Sequence, residues 1–229
     1  MALVLLSALP VARAWGGDAP WHPTPTVDGS IGGGEYPPSA ITLSTPAGSC
    51  QIYLCENGSA LFIAAAIPDS TYSINDSVVI CVGGEPPSPT RTLREDDYQI
   101  IVGRGGSYNA GGLKRYRIAT RSETSMWYVE AAIGYSDLSL AAGNHSMALA
   151  IFIKDGGQEM ARWPGNADED SPKTWGTLSS SSFWGTIDLV AQSLASYPKR
   201  AITGENITIT FTYTNKGNAP CSMVQIGFY

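Results

Sequence analysis

Short apolar runs separated by Gly, Pro, Asn and Asp follow one another through most of the chain. Short strands with this punctuation are typical of antiparallel sandwiches, so the pattern predicts an all-β fold built around an antiparallel β-sandwich. Residues 61–67 are apolar at every position, which indicates a central strand covered on both faces. The predicted strands are 40–44, 51–55, 61–67, 77–82, 98–102, 115–121, 126–133 and 147–153.

The hairpin over residues 115–133 can be interpreted residue by residue. If Arg121 pairs with Met126, then Arg117 lies opposite Glu130, and side chains alternate between two faces. The predicted core face carries Tyr116, Ile118, Trp127, Val129 and Ala131. The opposite face carries Arg115, Arg117, Arg121, Tyr128 and Glu130. This second face is either solvated or a binding surface, and a register slip of one residue would exchange the two faces.

The composition changes after Trp175. Residues 176–182 are rich in Ser and Gly, as linkers are. From Ile187 a new pattern begins, and residues 207–214 alternate strictly between apolar side chains and threonine, which predicts a half-buried strand. The sequence therefore predicts a main domain over 15–178, a linker over 179–186 and a second β-domain over 187–229.

The first fourteen residues have the pattern of a secretory signal peptide. Residues 2–9 are apolar, and residues 11–14 end in a small-x-small pattern, although no Lys or Arg precedes the apolar run. The alternative is a buried strand or helix end. No stretch reaches 18 consecutive apolar residues, so the sequence predicts no transmembrane segment. We expect a secreted or cell-surface protein.

Charge and motif content exclude several functional classes. Asp and Glu number 20 against 14 Lys and Arg, a net charge of −6, whereas nucleic-acid binders carry a basic surplus. The motifs G-x-S-x-G, H-E-x-x-H and C-x-x-C are absent, and two histidines offer little for a His-based centre. We predict a protein that is not an enzyme and has no nucleic-acid partner. Cys50, Cys55 and Cys81 leave three disulfide pairings open, with Cys221 in the tail.

Several short motifs lie in order between Val27 and Leu178. They are DGSI at 28–31 with GEY at 34–36, GSALFIAAAIPD at 58–69, DSVVI at 76–80, DDY at 96–98, VEAAI at 129–133, RWP at 162–164 and PKTWG at 172–176. Together they resemble carbohydrate-binding module family 9 and the wider DOMON-like group. Tyr36 stands where the family has Trp, and Gly134 where it has Pro. The resemblance implies a sandwich that binds a glycan or polysaccharide and carries calcium.

Sugar binding requires aromatic faces for the C–H surfaces of the ring and polar groups for its hydroxyls. The candidates are Trp163, Trp175, Tyr36, Tyr108 and Arg104. Packing of the tryptophans in the core is the alternative. Calcium takes oxygen ligands from loop carboxylates. The candidate ligands are Glu35, Asp69, Asp76, Asp96 and Asp97, and capping of turns and strand ends is the alternative.

The tail resembles the start of a CARDB domain, a cell-adhesion-related module of bacteria. The motifs are DLV at 188–190, TYTNKGNAP at 212–220 and VQIGFY at 224–229. The resemblance implies a partial immunoglobulin-like sandwich that serves as a spacer or contacts cell-surface partners. Because this covers roughly half of such a sandwich, we expect the chain to be a fragment of a longer protein.

Two alternatives to sugar binding stay open. The first is a structural surface spacer that binds no sugar. The second is a haem-binding DOMON-like domain, because relatives of that architecture hold haem b through Met, His or Lys. The candidate axial ligands are Met126, His145, Met147, Met160 and Lys154.

Overall fold

The computed structural model describes residues 16–38, 40–138, 140, 146–180, 189–197, 204 and 208–215. Within these ranges the chain forms strands and two short 3₁₀ turns, Tyr135–Asp137 and Pro172–Thr174. The strands are β1 Gly16–Asp18, β2 Ile41–Thr45, β3 Gly48–Glu56, β4 Ala60–Pro68, β5 Ser77–Gly83, β6 Asp97–Gly103, β7 Tyr108–Asn109, β8 Tyr116–Ser122, β9 Met126–Gly134, β10 Ser146–Asp155, β11 Gln158–Trp163, β12 Gly176–Ser179, β13 Leu189–Tyr197 and β14 Thr208–Asn215.

Two sheets form the sandwich. Sheet I has the order β1-β12-β10-β5-β6-β7, and β11 also pairs with β10. Sheet II has the order β2-β3-β4-β9-β8. Alternate side chains of both sheets point inward and form one core, which includes Leu61, Ile63, Ile80 and Leu149. The predicted all-β sandwich is confirmed.

The eight strands predicted in the main domain correspond to β2–β6 and β8–β10. The pattern missed β1, β7, β11 and β12. Residues 176–179, whose composition resembles that of a linker, form β12. A Cβ on Gly176 would lie 2.6 Å from the Trp163 ring, so this glycine allows close packing inside the sheet. Ser179 ends β12, and residues 181–186 of the predicted linker lie outside the described residues.

The hairpin register differs from the prediction by two residues. Arg121 pairs with Tyr128, and Ala119, rather than Arg117, lies opposite Glu130. The hydrogen-bonded ladder of β8 and β9 continues to Ser122, which pairs with Trp127, so every cross-strand pair differs from the predicted one. Because a shift of two preserves the alternation, the predicted core face is confirmed: Trp127, Val129 and Ala131 are buried, and Tyr116 and Ile118 pack against them.

The three described cysteines are free and lie in three different hydrophobic clusters. Cys50 lies in the central core, Cys55 on the outer face of sheet II and Cys81 on the outer face of sheet I. Residues 50 and 55 of β3 are an odd number of positions apart, so their side chains point to opposite faces. Burial raises the pKa of the Cys50 and Cys55 thiols to about 12. Cys221 lies outside the described residues.

The described part of the tail is an antiparallel pair, β13 with β14. The predicted alternating strand is therefore present from Thr208 onward. Leu194 and Tyr197 are exposed, and Ile209 and Tyr213 are partly so. The predicted signal peptide over 1–14 lies outside the described residues. In the part of the chain that the structure describes, no helix is long and apolar enough to cross a membrane.

Candidate functional site

The segment before β2 lies across the outer face of sheet II and is bound there by one carboxylate. Glu130 of β9 is fully buried, and its Oε2 accepts hydrogen bonds from the N–H groups of Asp28, Gly29 and Ser30 at 3.0, 2.6 and 3.1 Å. The Tyr36 hydroxyl donates to its Oε1 at 2.8 Å. Glu130 thus joins two of the sequence motifs that carry the family resemblance.

Gly29 permits this close approach. Its φ is +86°, and a Cβ there would lie 2.8 Å from the carbonyl carbon of Thr120. Only glycine adopts this conformation without strain at so small a separation. The sequence placed Glu130 on a polar strand face. It gave no signal that the face would be covered by a segment about a hundred residues earlier.

A cleft of about 670 Å³ opens on the same outer face, beside the covering segment. We call it the β4–β9 cleft. Its floor is apolar, formed by Val27, Ala60, Phe62 and Ala132. Its rim is polar, formed by Thr24, Asn57, Ser59, Arg115, Arg117 and Ser136. The volume lies within the range of small-molecule sites, and the combination of an apolar floor with a few polar groups is typical of them.

Two arginines dominate the rim. Arg115 and Arg117 flank Tyr116 at the start of β8, so strand alternation places both side chains on the outer face. Both are exposed. Opposite them β9 carries Ala132 and Gly134, and a Cβ on Gly134 would lie 3.0 Å from the Arg115 Cβ. The small residues leave room for the cleft between the guanidinium groups and the floor.

The structure does not bring the five predicted sugar-binding residues together. Trp163 and Trp175 are 7% and 4% exposed and lie in different hydrophobic clusters, so as placed neither ring offers a face to a sugar. Tyr36 is buried, with its hydroxyl on Glu130, and Arg104 is buried in ion pairs. Tyr108 is 54% exposed and makes an edge contact with Tyr116, which also lines the β4–β9 cleft.

Arg104 occupies the centre of a buried acidic cluster. Its Nη1 lies 2.6 Å from Asp69 Oδ2 and 3.3 Å from Asp76 Oδ2, and it also donates to the Thr71 carbonyl. Asp155, which the sequence did not single out, completes a group of carboxylates whose oxygens lie within 4.8 Å of one another. Burial, with the charges of Asp69 and Asp76, raises the pKa of Asp155.

The five predicted calcium ligands do not form one site. Asp69 and Asp76 meet, but Arg104 fills the position between them that a cation would take, so this pair does not fit calcium as it stands. Glu35 accepts hydrogen bonds from the Thr26 and Gly32 N–H groups. Asp97 forms an ion pair with buried Arg91. Its neighbour Asp96 belongs neither to this ion pair nor to the cluster of Asp69, Asp76 and Asp155. Glu35, Asp69, Asp76 and Asp97 thus make hydrogen bonds and ion pairs of the kind that the capping alternative expects.

The haem candidates are likewise dispersed. Met147 is fully buried between the two sheets, and Lys154 on the outer face of sheet I is paired with Glu169 at 2.6 Å. Met160 lines a smaller pocket of about 240 Å³ together with Lys154. His145 lies outside the described residues. Lys154 and Met160 thus share a pocket, but Lys154 would have to leave Glu169 to serve as an axial ligand.

Comparison with known proteins bears on the fold. The structure is similar to a carbohydrate binding module family 9 protein from Caldicellulosiruptor kristjanssonii in complex with cellotriose. The identity is 18%, the TM-score is 0.55, and the match covers 72% of this chain and 93% of that chain. A second structure of such a module from the same organism, in complex with glucose, is 17% identical with a TM-score of 0.55. That match covers 72% of this chain and 95% of the other. No protein-family model and no curated protein matches the sequence. The main part of this chain therefore has the β-sandwich fold of family 9 carbohydrate-binding modules.

Proposed function

We propose that this chain is an exported, non-catalytic carbohydrate-binding protein whose sugar site is the β4–β9 cleft. The observation that carries the proposal is the make-up of this cleft: an apolar floor around Phe62 beneath a rim of hydroxyl, amide and guanidinium groups. A sugar presents C–H surface and hydroxyls side by side, and such a cleft matches both. The complexes of the similar modules with cellotriose and glucose support the same ligand class.

The rim suits hydroxyl recognition because it combines a fixed amide with two exposed guanidinium groups. Asn57 is held by the Thr24 hydroxyl at 2.8 Å and caps the turn before β4, so it is a fixed part of the wall. The planar guanidinium groups of Arg115 and Arg117 can donate two parallel hydrogen bonds to adjacent oxygens. A fixed wall and two long arginine donors above an apolar floor can orient a sugar ring without reacting with it.

The wider role proposed is that of a secreted or cell-surface adhesion protein. The signal-like residues 1–14 and the CARDB-like tail, whose described part is the hairpin of β13 and β14, support it. In this arrangement the sandwich binds the glycan, and the tail acts as a spacer or contacts surface partners. A spacer that binds no sugar is the alternative that the following experiment separates.

The test is a binding screen of the full chain against neutral and acidic oligosaccharides, followed by calorimetry on each hit. Ser59→Trp places a large ring on the exposed rim of the cleft and should change affinity at least about tenfold, either by blocking the cleft or by stacking on the sugar. Ser88→Trp, in an exposed turn that does not line the cleft, is the matched control and should leave affinity unchanged. Both variants should keep the far-ultraviolet circular dichroism of a β-protein.

Two results would overturn the proposal. If the folded protein binds none of the oligosaccharides in the screen, the alternative of a spacer that binds no sugar is favoured. Binding that is equally strong in wild type and Ser59→Trp would move the sugar site away from the β4–β9 cleft.

A further inference from the structure

The positive charges of this acidic protein are unevenly neutralised. Ion pairs engage the following basic side chains: Arg91, Arg94, Arg104, Arg121, Lys154 and Arg162. Within the described ranges, no carboxylate lies within ion-pair distance of Lys114, Arg115 or Arg117. Three unpaired cations therefore follow one another at the start of β8, and two of them line the β4–β9 cleft.

A carboxylate on the adjoining element is already engaged by backbone N–H groups. Asp137, in the 3₁₀ turn after β9, accepts the N–H groups of Lys114 and Arg115 on its Oδ2 at 2.8 and 2.5 Å. These contacts hold the backbone just before β8, and neither involves a guanidinium group. Glu130, on the same sheet face, is covered by the segment around Gly29. The two arginines thus line the cleft without an ion pair to a described carboxylate.

We propose that the β4–β9 cleft takes an acidic saccharide, with a sugar carboxylate bound by Arg115 and Arg117. This inference rests on the proposed function and names the ligand class of the same site. A carboxylate matches the fork of a guanidinium group, and a charge-assisted bidentate pair is stronger than the neutral hydrogen bonds that a hydroxyl offers. The apolar floor at Phe62 and Ala132 then carries the C–H face of the uronate ring.

Other polyanions fit less well. A net charge of −6 repels a long phosphate backbone or an anionic membrane, whose binding requires an extended basic surface. Among the cationic side chains that the structure describes, only Arg115 and Arg117 line this cleft of about 670 Å³, so the site suits one or two carboxylates on a small ring system.

The test compares three probes on the full chain by calorimetry: a trimer of galacturonic acid, its methyl ester and cellotriose. The acidic trimer should bind at least about tenfold more tightly than its ester, since esterification removes the negative charge and adds only a methyl group at each carboxyl. Its affinity should fall as salt rises from about 0.05 to about 0.5 M, because screening shortens the reach of the arginines. Arg115→Gln and Arg117→Gln should each remove most of the preference for the acid. Lys173→Gln, an exposed cation outside the cleft, should not.

The outcomes separate the two proposals. Suppose that the acid, the ester and cellotriose bind with equal affinity and that Arg117→Gln weakens all three equally. That result would overturn the acidic ligand and leave sugar binding in place. Failure of all three probes in the calorimeter, together with silence in the oligosaccharide screen, would overturn both. Tighter binding of duplex DNA or anionic vesicles than of the acidic trimer would also overturn the inference.

Discussion

The hydroxyl of Tyr36 donates a 2.8 Å hydrogen bond to Oε1 of Glu130, a residue 94 positions later in the chain. Both side chains are buried on the outer face of sheet II. The other carboxylate oxygen accepts the N–H groups around Gly29. This one side chain therefore fixes the segment that supplies Thr24 and Val27 to the wall and floor of the β4–β9 cleft.

We expect Glu130→Ala to destabilise the protein by about 3–5 kcal/mol, because it leaves several buried donors without an acceptor. Tyr36→Phe removes one of these hydrogen bonds and should cost about 1 kcal/mol. Urea unfolding followed by fluorescence measures both. Glu123→Ala, at an exposed ion pair with Arg121, is the control and should change the free energy of unfolding by less than about 1 kcal/mol. A cost for Glu130→Ala no larger than that of the control would contradict the role of this carboxylate.

Gly29→Ala should cost at least about 2 kcal/mol, since the residue combines a positive φ with backbone atoms of Thr120 in the path of a Cβ. Gly33→Ala is the matched control, because Gly33 has a negative φ and nothing within 4 Å of a Cβ. Thermal denaturation of the two variants measures the difference. Equal melting temperatures would show that the segment does not sit on β9 as described.

The stability contributed by Glu130 should depend on pH. Burial raises the pKa of this carboxyl group above its ordinary value, so the folded state holds the proton more tightly than the unfolded state. The contribution is present below the ordinary glutamate pKa of about 4.3 and is lost as the pH rises through the raised value. Glu130→Gln does not titrate. Between about pH 4 and about pH 7, the free energy of unfolding of the variant should therefore improve relative to wild type. A difference that stays constant over this range would contradict the raised pKa.

Arg104→Met should destabilise the protein by about 3–5 kcal/mol, because it leaves the carboxylates of Asp69 and Asp76 buried without their cation. Arg94→Met is the control, since its ion pair with Glu85 is about half exposed and should contribute little to stability. Chemical denaturation of the two variants tests the contrast. If both variants lose a similar free energy of unfolding, the buried ion pairs of Arg104 contribute no more to stability than the exposed pair of Arg94.

Calcium should stabilise the Arg104→Met variant but not wild type. Removal of the guanidinium group leaves Asp69, Asp76 and Asp155 with oxygens close enough for a hard cation. We expect EDTA to leave the melting temperature of wild type unchanged and calcium to raise that of the variant. A wild-type melting temperature that falls in EDTA would restore calcium as a structural ion of this protein.

The strand pattern was predictable because its signals are local. Residues 61–67 could be assigned to a central strand from their unbroken apolar character, and β4 does lie between β3 and β9 in sheet II. The short strands β1 and β12 gave no such signal. Gly176 and its neighbours have the composition of a linker, and they form a strand only because β10 and the Trp163 ring lie beside them.

The candidate site divides along the same line. Composition and alternation by themselves determined an acidic all-β protein, and they placed Arg115 and Arg117 together on the outward face of one strand. Tertiary structure decided which polar residues remain available for a ligand. It buried Arg104 between two aspartates and covered Glu130. It packed Trp163 in the core between the sheets and Trp175 in the cluster on the outer face of sheet I. The physical reason is that alternation along a strand sets the face of a side chain, whereas its exposure depends on segments that arrive from distant parts of the chain.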